Sequence, residues 1–124
     1  MNAKRVLSVG QCFADHGAIS STLHQHFGAE VVSAATAAEA FADLRQKRFD
    51  LVLVNRVLDA DASSGLDLIR QLKEDETFRA VAVMLVSNYA DAQRQAVVKG
   101  ALPGFGKASL GRPEMLAAVK GVLG

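Results

Sequence analysis

The chain reads as an α/β domain: a doubly wound (βα)5 three-layer sandwich around a five-stranded parallel sheet. Two observations predict this. Short β-rich runs and amphipathic helical segments alternate along the chain, five of each. The two best runs, "DLVLVN" and "AVAVMLVS", are continuously apolar rather than alternating, as strands covered on both faces of a parallel sheet are. Half of the 124 residues are hydrophobic, enough for one core, and the length fits a single domain over residues 1–124.

The elements follow in order. "RVLSVG" is the first strand. Ile19, Leu23 and Phe27 recur every fourth residue and mark the first helix. "GAEVVSAA" is a weaker strand. Ala37, Ala40, Phe41 and Leu44 form an i, i+3, i+4, i+7 stripe, and Thr36 with Glu39 gives a capping box. "DLVLVN" then stops at Asn55. Leu66, Ile69 and Leu72 make a third stripe, with Ser64 and Asp67 placed as caps and Arg70–Glu74 as an exposed pair. After "AVAVMLVS" come Ala92, Ala96 and Val97, a helix ended by Gly100. "LPGF" is a poor last strand, weakened by Pro103 and Gly104. Pro113 suits the first turn of the final helix, with Met115, Leu116, Val119 and Leu123 facing inward.

Composition excludes several classes. Lys plus Arg number 14 and Asp plus Glu 13, a net charge of +1, which gives no push toward nucleic acid or an anionic membrane surface. No apolar run approaches the roughly 20 residues that span a bilayer, and "MNAKRVLSVG" lacks the apolar stretch of a secretion signal. The single cysteine, Cys12, cannot form an internal disulfide and fits a reducing cytoplasm; in such a turn it reads as a small buried hydrophobe. His24 and His26 are two apart on a helix and diverge. No recognition helix, enzymatic domain or basic tail is read after the fifth helix.

In doubly wound sheets the working site lies at the carboxyl ends of the strands, where strand order reverses. That places Gly10-Gln11-Cys12, Asn55-Arg56, Ser87-Asn88 and the segment after Phe105 where function is expected. Four stretches, "FDLVLVN", "SGLDLIRQLK", "AVAVMLVSNYADAQRQAVVKGA" and "GFGK", resemble in order and spacing a response-regulator receiver domain. This is the flavodoxin-like module that takes a phosphoryl group from a histidine kinase in two-component phosphorelay signalling. The resemblance covers the whole chain. It implies that Ser87 and Lys107 are retained family positions and that Asn55 stands at the phosphoacceptor. It also implies that Gly10 and Gln11 replace the metal-holding acidic pair and that Gly104 replaces the switch aromatic. Ala108 stands where a proline usually follows the lysine, so a trans Lys107–Ala108 bond is expected, since a cis bond there costs about 3 kcal/mol. The loop "RVLDADAS" looks about two residues longer than usual.

The departures decide the chemistry. An acyl phosphate needs a carboxylate oxygen as nucleophile, which a carboxamide lacks. Mg2+ needs hard, charged oxygen ligands, and Gly10, Gln11 and Asn55 supply no carboxylate. The expectation is a pseudo-receiver: not an enzyme, no catalytic residue, no metal, and Mg2+ binding lost or very weak. Lys107 must then reach water, pair with Asp15, Asp59 or Asp61, or bind an anion with Arg56 and Ser87. Such a domain is expected to act on a protein partner through the face of its fourth helix, fifth strand and fifth helix (Asp91–Lys99, Pro103–Lys107 and Met115–Leu123). Few large apolar groups are expected to be exposed there, with Gly104 and Gly106 lending movement, and the chain is expected to be a monomer or weak dimer. Two alternatives stand beside this reading: a sensor of small anionic ligands, and a receiver phosphorylated at a displaced Asp59 or Asp61.

Overall fold

Strand order in the sheet is β2-β1-β3-β4-β5, all parallel, in a computed structural model that describes residues 3–124. The elements are β1 (Arg5–Val9), α1 (Phe13–Phe27), β2 (Glu30–Ala34), α2 (Ala37–Gln46), β3 (Leu51–Asn55), α3 (Gly65–Glu74), β4 (Val83–Val86), α4 (Ala90–Val98), β5 (Leu102–Phe105) and α5 (Pro113–Leu123). The chain runs outward from β1 to β2, then crosses back to β3. Strand order therefore reverses between β1 and β3, and their register, Val9 opposite Val54, sets Gly10 beside Asn55.

The apolar runs divide by parity, as side chains on a strand must. Leu51 and Leu53 of β3 join Val6, Met84 and Val86 on one face, under Ile19 and Leu23 of α1 and Met115, Val119 and Leu123 of α5. Val52 and Val54 join Leu7, Val9 and Leu85 on the other, under Ala40 of α2, Leu68, Ile69 and Leu72 of α3 and Ala96 of α4. This is why those strands are greasy throughout.

The helix ends follow from local chemistry. Thr36 and Glu39 close the capping box of α2, Ser64 accepts the Asp67 N–H at the start of α3, and Pro113 opens α5. Arg70 bonds both Asp67 and Glu74 on the exposed side of α3.

Two expectations need correction on the α4–β5 flank. Val97 is 43% exposed, with Val98 at 87% and Leu102 at 41%, because Ala92 and Ala96 alone supply the inward stripe of α4. The flank therefore exposes three large apolar residues, more than expected. Gly104 is held in place instead of lending movement. Met84 pairs with Leu102 and Val86 with Phe105, so two steps along β4 meet three along β5, a bulge. Gln93 of α4 fills it: its Oε1 accepts the Gly104 N–H (3.1 Å), and its Nε2 donates to the carbonyls of Leu85 (2.9 Å) and Ser87 (3.1 Å). A Cβ on residue 104 would collide with the Leu85 carbonyl oxygen, so only glycine fits.

Candidate functional site

Asn55 ends β3 with its carboxamide fully engaged. Nδ2 donates to the carbonyl oxygens of Gly10 (3.1 Å) and Val57 (2.8 Å), and Oδ1 accepts the Arg56 N–H (3.1 Å). Two carbonyls can only accept, so the group between them must donate. A carboxylate there would set lone pair against lone pair. The same two oxygens would be the natural ligands of a cation at this spot, and an N–H2 group already satisfies them.

The loop after β3 closes the site further. Val57 bridges to Ser64, the Leu58 N–H donates to the Ser63 carbonyl, and the Ala62 N–H to the Leu58 carbonyl. Ala62 sits at φ 59, which this tight path demands. The fold-back buries Leu58 completely and lays it on Gly10. A Cβ at Gly10 would meet the Leu58 side chain and come within 2.9 Å of its Cα, and the backbone there has φ +75. The Asp59 N–H then donates to the Gly10 carbonyl at 2.9 Å. Leu58 thus fills the space next to Gly10. The half-buried Gln11 has both polar side-chain atoms buried without a protein partner.

Lys107 resolves its charge on Asp15, at 2.6 Å, both about one-third exposed. That bond, with a contact from the Cys12 thiol, holds the Asp15 carboxyl below its ordinary pKa of 3.8. Cys12 is half-exposed at the start of α1 rather than buried. A carboxyl depressed in the folded state stabilises above its unfolded pKa and loses that contribution as pH falls through the folded one. The stability difference between wild type and Lys107→Ala is therefore expected to be present at neutral pH and to disappear below about pH 3.8. Urea melts across pH check this; a pair this exposed is worth under about 1 kcal/mol.

Ser87 is 8% exposed and accepts the Tyr89 N–H. Asn88 Oδ1 accepts the Ala108 N–H at 3.1 Å, tying the β5–α5 turn to the end of β4, and the Lys107–Ala108 peptide is trans, as expected. Arg56 lays its guanidinium 5.0 Å from the Tyr89 ring centre. Asn55, Arg56, Ser87 and Lys107 thus share one pocket of about 290 Å³. Gly10 lies beside it, held to Asn55, and Gly104 of β5 is not among its lining residues. Asp59 and Asp61 are exposed and outside the lining. Asp61 turns into its own loop and takes the Ser63 N–H and hydroxyl (3.0 and 2.6 Å), which lowers its pKa. Among the described residues no three His, Cys, Asp or Glu side chains cluster as metal ligands. Asn88 lies at the strand end where the sequence placed it, whereas Leu58 and Gln93 were not predicted from sequence. Only Leu58 left a signal, as an apolar residue in an otherwise polar loop.

Five parallel strands in this order, with Lys107, Ser87 and Asn55 converging at the switch point, make up the fold of response-regulator receiver domains. Solved structures agree. A response regulator from Thermotoga maritima is 25% identical over 98% of each chain, with a TM-score of 0.76. NtrX from Brucella abortus is 20% identical over 98% of this chain with a TM-score of 0.82, and this chain spans 27% of that one. A Burkholderia pseudomallei response regulator, solved with a phosphorylated aspartic acid, calcium and citrate, is 22% identical over 98% of this chain and 66% of its own, with a TM-score of 0.72. No protein-family model matches the chain, and no curated protein matches it by sequence. No helix among the described residues is long and apolar enough to cross a membrane.

Proposed function

We propose that the chain is a receiver-type signalling domain that takes no phosphoryl group on residue 55, holds no Mg2+ and catalyses no reaction. It works by protein–protein contact through the α4–β5–α5 face. One observation carries the reading: the Asn55 amide donates to the Gly10 and Val57 carbonyls while Leu58 is seated on Gly10. Nucleophile and metal seat are replaced together by groups that satisfy each other. The exposed Val97, Val98 and Leu102 support the choice of face, because apolar area of this kind marks interaction sites. The chain is expected to be a monomer or weak dimer acting in the cytoplasm.

The test is intact mass after incubation with a small phosphodonor and Mg2+. Wild type is expected to gain no phosphoryl group. Asn55→Asp is expected to stay unmodified as well, since no carboxylate at residues 10 or 11 steadies the metal. A base-labile phosphoryl adduct on wild type, mapped to Asp59 or Asp61, would overturn the proposal.

A further inference from the structure

The mouth of the sheet opens sideways into a second, larger depression. It holds about 660 Å³ between the starts of α3 and α4 and shares Arg56, Val57, Asn88 and Tyr89 with the Asn55 pocket. Two charged residues line it. Asp91 is taken by Arg94 on its own helix. Arg56 has no carboxylate within ion-pair distance among the described residues and rests instead on the Tyr89 ring. The wall thus presents one uncompensated cation flanked by two exposed apolar groups, Tyr89 at 63% and Val57 at 40%.

We propose that this groove docks an acidic segment of a protein partner. A partner carboxylate pairs with Arg56, and the aliphatic residues beside it cover Tyr89 and Val57. Charge complementarity selects the acid: an unpaired guanidinium set over an aromatic ring offers a carboxylate two parallel N–H donors. The apolar flanks select a peptide over a free anion. A small anion in so open a depression stays hydrated and gains one exposed ion pair, which is worth little. A peptide adds burial of the ring and the valine, and arginine and tyrosine are the residue types that carry most interface energy. The groove uses Ala92 and Gln95 of α4, whereas the α4–β5 patch uses Val97 and Val98. The inference therefore stands whether or not that patch carries the signal.

The test is selection of a random heptapeptide library on wild type, with counter-selection on the Arg56→Gln/Tyr89→Ser variant. Both positions are exposed, and an unchanged melting curve confirms that the variant is folded. Binding is read from Tyr89 fluorescence, since the chain has one tyrosine and no tryptophan. The expected peptides carry Asp or Glu beside Leu, Ile or Val. Their Kd weakens at least tenfold on Arg56→Gln and equally when the peptide acid becomes its amide. Peptides without acids, or none that separate wild type from the variant, would overturn the proposal. So would inorganic phosphate that alone saturates the Tyr89 response, which would make the groove a free-anion site.

Discussion

Gly10→Asp is expected to destabilise the domain by about 3–8 kcal/mol and to leave it without measurable Mg2+ binding. Two costs add. The backbone at residue 10 has φ +75, and any Cβ there collides with Leu58. Leu58 cannot step aside cheaply, because it is fully buried and its loop is closed by the Val57–Ser64 bridge and by the Leu58 and Ala62 backbone bonds. Expelling it leaves a hole, and vacating a buried leucine costs about 2–5 kcal/mol. Set against a total stability of about 5–15 kcal/mol, the change is severe. Urea melts give the loss, and Gly10→Ala separates the steric part from the added charge. Calorimetric titration with Mg2+ completes the test. A folded Gly10→Asp protein that binds the ion would show that the loop yields easily and that the metal seat is latent.

Gln93→Leu is expected to cost about 2 kcal/mol and to loosen the α4–β5 flank selectively. The substitution keeps most of the volume but removes both polar ends. The Gly104 N–H and the Leu85 and Ser87 carbonyls lose their partners, and each buried polar group left unpaired costs about 1–3 kcal/mol. Gln93 is half-buried, so water recovers part of this. Amide exchange should quicken at Gly104 and Phe105 while the β1 and β3 amides keep their protection. Uniform quickening across the sheet would mean instead that Gln93 contributes only to global stability. Unchanged exchange at Gly104 would mean that the bulge holds itself.

The layout of the sheet was legible because its determinants are local. "DLVLVN" and "AVAVMLVS" carry burial on both faces in their composition, and Thr36–Glu39 and Pro113 announce helix starts in adjacent letters. That residues 10, 11 and 55 are Gly, Gln and Asn, with no carboxylates, was equally plain. What replaces them was not, because it depends on where a loop travels. That Leu58 returns to Gly10, 48 positions earlier in the chain, leaves no periodic trace. Lys107 had three acids to choose from, and only the start of α1 in space selects Asp15. Gln93 read as one more polar residue on an exposed helix, since the bulge it fills arises from a mismatch between two strands. Val97 marked α4 by its spacing, and in the fold only Ala92 and Ala96 of that helix are buried.

The outermost strand on one side of the sheet carries a proline, which has no N–H to offer a newcomer, and its neighbour Gly104 already spends its N–H on Gln93. A flank built this way resists being lengthened by another chain's backbone. Whatever meets it must be recognised by the fit of side chains, and crowded copies of the molecule have little means of stacking into ribbons along that border.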